Sequence, residues 1–177
     1  MPKIIAELRE TILQHARAML LSSSCDTLTM RGIASACGVA VGTVYNYFPS
    51  KEMLLASVML QDWQTALSCM RERTAQATSP LEGLRCINLE IIGFWDLYRE
   101  TWQWYAQSGH TAPLYGAYRQ ELIHQLEEVI QPLLTRFHCQ QEPALPGFLA
   151  ETLLFSAREG EARFTELAPI LSRLVKA

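Results

Sequence analysis

The sequence has little of what marks a catalyst or a secreted scaffold. Only five of its 177 residues are cysteines, an odd number. No CxxC occurs, and no cysteine stands near a histidine at zinc-ligand spacing, which excludes a disulfide framework and a zinc knuckle. Cys25, Cys37, Cys69, Cys86 and Cys139 therefore read as reduced, mostly buried thiols, with a redox-responsive pair as the alternative. GxSxG, HExxH, Walker-type and GxGxxG loops are all missing, so catalysis is not indicated and no cofactor is expected. His124 has Glu127 and Glu128 at i+3 and i+4, and this trio reads as a solvated helix face rather than a metal site. Charge is sparse as well. Charged residues make up 19% of the chain with a net charge of −3, which argues against binding a polyanion by bulk electrostatics alone. The N-terminus is interrupted by Glu7, Arg9 and Glu10, unlike a signal peptide. The longest uncharged run, Gly32 to Ser50, carries Gly38, Gly42, Asn46 and Pro49, unlike a membrane span. A cytoplasmic protein is expected.

What the sequence does have is helical periodicity, with no strict apolar alternation, internal repeat or low-complexity stretch. Ile5, Leu8, Ile12, Ala16, Met19 and Leu20 form one apolar stripe, ending at three consecutive serines. Met30, Ile33, Ala34 and Cys37 recur at i, i+3, i+4 and i+7 behind Thr29 as N-cap, and Gly38 ends that helix. Val41, Val44, Tyr45 and Phe48 repeat the spacing at once. Three short helices thus fit inside the first fifty residues, the last two joined tightly in the outline of a helix-turn-helix.

A long helix is expected from Lys51 to about Ala77. A second starts at Ser79-Pro80 with Glu82 in capping-box position and breaks near Arg99. A third covers about Pro113 to His138, with Pro132 as a kink. Two more follow, from about Gly147 to Arg158 and from Ala162 onward, with Pro169 as a kink or early turn. The fold expected is all-α, about nine helices, with a head at residues 1–50 and a helical body at 51–177.

Residues 1–51 hold five basic side chains against three acidic, whereas the rest of the chain is acidic overall. A mildly basic head on an acidic body suits a protein that presents only its head to a polyanion. With Val41, Val44 and Phe48 turned inward, Gly42, Thr43, Asn46 and Tyr47 share the outer face of the third helix. Gly42 permits close backbone approach, Asn46 can pair with an adenine edge, and the Thr43 methyl can meet a thymine methyl. Tyr45, Tyr47, Thr29 and Lys51 can reach phosphates. The alternative is a helical hairpin whose tyrosines pack on the body.

The segment from Thr29 to Leu55, TMRGIASACGVAVGTVYNYFPSKEMLL, closely resembles the signature of the tetracycline-repressor (TetR/AcrR) family of bacterial transcription regulators. The resemblance implies that Arg31 reaches a guanine from the second helix and that Thr43 and Asn46 lie on the recognition helix. It places Tyr45, Tyr47, Thr29 and Lys51 at phosphate-contacting positions, and Ile33, Ala34, Val39, Val44 and Phe48 in the core of the head. Two departures stand out: Ala40 replaces the usual hydroxyl residue in the turn, and Cys25 stands where glycine is common.

So few charges would make a monomer bind double-stranded DNA poorly, and a two-fold dimer doubles the contacts. The resemblance implies such a homodimer, built mainly from the last two helices. Phe148, Leu149, Thr152, Leu153, Phe164, Leu167, Leu171 and Leu174 are the candidates for its seam, with the monomer's own core as their other role. It also implies a small effector that separates the heads. Trp95, Tyr98, Trp102 and Tyr105 at helical spacing, with Tyr118 nearby and Glu90, Gln103 and His110 as polar anchors, are candidates for a pocket suited to a flat hydrophobic or cationic molecule. Core packing is the other account of that stripe. The rival to a ligand-released repressor is a helical small-molecule carrier whose head no longer reads DNA. Operator, effector identity and the sense of regulation are not encoded in any motif.

Overall fold

The structure, a computed structural model, describes residues 6–22, 27–107, 113–139 and 142–176. The described residues form nine α-helices and no strand: α1 (Ala6–Ser22), α2 (Met30–Ala36), α3 (Val41–Tyr47), α4 (Lys51–Gln76), α5 (Pro80–Leu97), α6 (Arg99–Gln107), α7 (Pro113–Arg136), α8 (Leu145–Glu159) and α9 (Glu161–Leu174). The all-α architecture read from periodicity is the one observed. The chain divides into two compact units, one of residues 1–62 with 98–109, the other of 63–97 with 110–177.

In the first unit, the stripe of α1 delivers Ile12, Leu13 and Ala16 to a core shared with Leu28, Ile33, Val44, Phe48, Leu54, Leu55, Val58 and Tyr98. The helix starts follow their caps. Thr29 is extended at φ −125°, ψ 149°, and its Oγ1 accepts the Gly32 N–H at 3.0 Å. Gly38, at φ +67°, lets the chain turn from α2 into α3, and the Ser50 hydroxyl accepts the Met53 N–H at 3.2 Å to open α4. At the break before α6, the Tyr98 carbonyl accepts the Trp102 N–H at 2.9 Å.

The second unit is a layered bundle in which α8 packs on α5, α7 and α9. Its core includes Leu67, Met70, Leu84, Ile87, Ile91, Leu126, Ile130, Leu134, Leu149, Leu153, Phe164 and Leu171. A Cβ on Gly83 would come within 2.5 Å of Leu133 Cδ1, so the bare backbone there lets α5 close against α7. Asn88 donates from Nδ2 to Ser156 Oγ at 2.7 Å and to the Leu153 carbonyl at 3.3 Å, tying α5 to α8. Arg136, in the last turn of α7, donates to the carbonyls of Thr74, Ala75 and Ala77 and so places a cation at the negative end of α4.

The capping box of α5 differs in detail from its sequence signature. Ser79 Oγ accepts the Glu82 N–H at 3.2 Å, but the Glu82 carboxylate reaches one residue further back, to the Thr78 N–H at 2.6 Å and hydroxyl at 2.5 Å. Those bonds to Thr78 hold its carboxyl below the usual range. The helix expected to run to His138 stops at Arg136, because His138 adopts a left-handed conformation at φ 56°. Both interior prolines, Pro132 and Pro169, lie within continuous helices. Of the described cysteines only Cys139 is buried, while Cys37, Cys69 and Cys86 are half-buried. Cys25 lies outside the described residues.

Candidate nucleic-acid interface

Helix α3 is seven residues long and carries no charge, so its orientation is a packing problem. Val44 is completely buried and Phe48, its C-cap, is 2% exposed; together they pin one side of the helix to the unit. The helical repeat then turns Gly42, Tyr45 and Asn46 outward, where they are exposed, with Thr43 and Tyr47 half-exposed at the margins. Ala40 is the N-cap and makes no side-chain cap bond, so the first turn of α3 is held only by backbone bonding, including Thr43 N–H to the Ala40 carbonyl at 2.9 Å. Ile33 and Ala34 on α2 are buried and Val39 is half-buried.

Arg31, the second residue of α2, is exposed, and Thr29 two residues earlier is exposed as well while capping that helix. Lys51 opens α4 with its ammonium 4.8 Å from the centroid of the Trp104 ring on α6. Two other basic residues counted from sequence as part of a basic head have internal partners. Arg9 lies over the Phe48 ring at 5.4 Å, and Arg17 Nε donates to both oxygens of Asp62 at 2.7 and 2.9 Å. That bond to Asp62 pushes the Arg17 guanidinium further toward its charged form. The first unit as a whole holds six basic and six acidic residues, so the excess seen in residues 1–51 is cancelled by Glu52, Asp62 and Glu100 against Arg99. A neutral unit has no strong general field for a polyanion. It presents instead one uncharged, shape-defined helix face bordered by a few placed cations.

The aromatic candidates for an effector pocket fall in different units. Trp95 is half-buried in the second, 6.3 Å from Phe94, which in turn meets Trp63 edge-on at 5.1 Å. Tyr98 belongs to the first and is completely buried, its hydroxyl donating to Asp62 Oδ2 at 2.6 Å. Burial, and then the bond to Asp62, push the Tyr98 phenol well above the usual range. Trp102 is half-buried on α6. Tyr105 and Tyr118 lie on α6 and α7, but their side chains are outside the described residues, as is His110 altogether. Of the polar anchors, Glu90 is paired with Arg73 at 2.8 Å and Gln103 is exposed. His124 is exposed beside Glu127 and Glu128, each 3.7 Å away.

The candidate seam residues divide cleanly. Leu149, Leu153, Phe164 and Leu171 are inside the second unit, between 0 and 3% exposed, and already packed. Phe148 and Leu174 are exposed, and Thr152 and Leu167 are half-exposed. Two side chains that the seam candidates omit join them on the outside: Phe155 and Ile170, each 54% exposed. Phe148, Phe155, Leu167 and Ile170 line an open groove of about 460 Å³ bordered by Arg119, Glu151 and Arg163. Helix α8 is apolar on most of its circumference, so periodicity could not tell its inner face from its outer one.

The family model for bacterial regulatory proteins of the tetR family matches residues 12–58, from α1 into the first turns of α4. The chain is 30% identical over 92 residues to the HTH-type transcriptional regulator UidR of Escherichia coli K12, a match that spans 52% of this chain and 43% of that protein. It is 34% identical over 85 residues to the HTH-type transcriptional repressor KstR of Rhodococcus jostii RHA1, spanning 48% of this chain and 39% of the repressor. The matched stretch is thus less than half the length of either curated relative. The fold is similar along its whole length to the crystal structure of a TetR-family transcriptional regulator from Pectobacterium atrosepticum. The TM-score is 0.71 at 19% identity, covering 97% of this chain and 95% of that one. Residues 12–58, which contain the Thr29–Leu55 signature, thus match the tetR family of bacterial regulatory proteins, and the fold of the whole chain is similar to that of a TetR-family regulator.

Proposed function

We propose that this protein is a sequence-specific, homodimeric DNA-binding transcriptional regulator, a repressor that binds a pseudo-palindromic operator and is released by a small hydrophobic or cationic effector. The observation that carries the reading is the pinning of α3 by Val44 and Phe48, which leaves Gly42, Tyr45 and Asn46 as an exposed, uncharged reading face. DNA contacts are assigned to Thr29, Arg31, Gly42, Thr43, Tyr45, Asn46, Tyr47 and Lys51, all within or at the edge of residues 1–50. Dimerisation and effector binding are assigned to residues 51–177. The repressor names of KstR and its likes support the direction of control.

The charge inventory supports a dimer. A head with few uncommitted cations neutralises few phosphates, and two heads joined by a two-fold axis bind half-sites one helical turn, or a multiple of it, apart. The exposed apolar stripe of Phe148, Phe155, Leu167, Ile170 and Leu174 on α8 and α9 is the seam we assign. The test is selection from random duplexes mixed with the DNA flanking the protein's own gene. An enriched inverted repeat is expected. Failure to enrich any sequence at low salt, with the protein stripped of bound small molecules, would overturn the assignment and favour a carrier with a silent head.

A further inference from the structure

We infer that Arg9 of α1 is a further contact to the DNA backbone, held in place by the ring of Phe48 at the end of α3. The inference rests on the reading of this unit as a DNA-binding head. It adds a residue that lies outside both the Thr29–Leu55 signature and the matched residues 12–58. Arg9 is exposed, and its guanidinium carbon lies 5.4 Å from the centroid of the Phe48 ring, inside the range where the ring quadrupole attracts a cation. The ring itself is fixed by the core. Phe48 is 2% exposed, forms the C-cap of α3 and donates its N–H to the Val44 carbonyl at 2.9 Å. The side chain that pins α3 therefore also sets the place of the Arg9 guanidinium.

The sequence around Arg9 explains why that guanidinium is available. Its helical neighbours at three and four residues on either side are Ile5, Ala6, Ile12 and Leu13, so α1 offers it no carboxylate for an ion pair. The adjacent Glu10 accepts from Gln61 Nε2 of α4 at 2.8 Å. Among the described residues Arg9 has no hydrogen-bond acceptor and no ion-pair partner. Attraction to a ring face uses none of its five N–H groups, and arginine presents these in a planar fork that matches the oxygens of a phosphate. Arg17, about two turns further along α1, is the contrast, since both oxygens of Asp62 take its Nε. Phe48 faces the core, away from Gly42, Tyr45 and Asn46, so Arg9 borders the exposed face of α3 instead of sharing it. A cation at that border meets the sugar-phosphate backbone, which carries no sequence information. The unit has no net charge, so placed cations of this kind supply the attraction that a general field does not.

The test measures binding of the full-length protein to a mixed-sequence duplex over a range of salt concentrations. Arg9→Gln is expected to weaken binding about tenfold and to lower the slope of log affinity against log salt by about one per bound protomer. Arg9→Lys keeps the charge and should keep the wild-type slope, with a smaller loss of affinity because a point charge has no fork. A folded Arg9→Gln that binds more weakly with the wild-type slope would show that Arg9 only braces α3, and would overturn the contact. Unchanged binding would overturn it as well. In both cases the wild type still binds, and the DNA-binding reading stands. A wild-type protein that binds no duplex at low salt would sink both. Should Arg9→Gln fail to fold, the Arg9 Nε–H resonance of the wild type, assigned by its absence from Arg9→Lys, decides. A shift when the duplex is added supports the contact, and indifference to the duplex overturns it.

Discussion

At the scale of single residues, the proposed DNA face separates side chains assigned to read from side chains that hold. Arg31→Ala should weaken binding and relax base preference at one position in each half-site. Tyr47→Ala should weaken all duplexes by a similar factor, as checked by parallel affinity measurements on the selected repeat and its single-base variants. Equal loss on every sequence for Arg31→Ala would remove its assigned contact with a base. Tyr98 is a holding residue of a different kind. Its hydroxyl bonds a carboxylate that also binds Arg17, so Tyr98→Phe removes one hydrogen bond to a charged group, at a cost of about 1–2 kcal/mol and a fall in Tm of several degrees. The phenol is raised in the fold, so this stabilisation is present below about pH 10, where the unfolded tyrosine is also neutral. Above that pH the unfolded state ionises first and the fold loses ground. The Tm difference between wild type and Tyr98→Phe is therefore expected to shrink as pH rises past 10. A difference that stays constant to pH 11 would show that the fold does not raise the phenol.

At the scale of elements, the helix ends are where local chemistry is strongest and easiest to test. Gly160 joins α8 to α9 at φ 87°, ψ −176°, a conformation that residues with a side chain scarcely visit. A Cβ there would meet no atom within 4 Å, so the cost of Gly160→Ala is purely one of backbone. It is expected to lower stability by about 1–3 kcal/mol in urea unfolding with an unchanged m-value. A neutral result would mean that the α8–α9 corner relaxes freely. Most of these ends were legible in the sequence. Thr29, Gly38, Ser50 and Ser79-Pro80 carry their own signals, because a cap is a contact between residues two to four apart. The end of α7 was not legible, since nothing local marks His138 as left-handed.

At the scale of the whole molecule, the proposed function depends on assembly. Phe155→Glu and Ile170→Glu each place a charge on side chains that are half in solvent, so the protomer should fold with a near-native Tm. Both variants are expected to sediment as monomers. Losing the second head should cost about a hundredfold or more in affinity for the inverted repeat. Dimers that persist in both variants would move the seam elsewhere.

The sequence by itself determined the all-α class, the boundaries of the head helices and the exposed face of α3. Each of these follows from periodicity, from caps, or from a motif whose members sit within a few turns of one another. Only the tertiary structure decided which apolar residues of α8 and α9 are spent on the core. Leu149 and Leu153 are inside while Phe148 and Phe155 are out, and a helix that is apolar on most of its circumference has little pattern to say so. Tertiary structure also decided that α6 belongs with the first unit, with Tyr98 just before it meeting Asp62 and Trp104 on it meeting Lys51. Those pairings join residues 36 and 53 positions apart in the chain, and spacing along a helix carries no information about partners that distant.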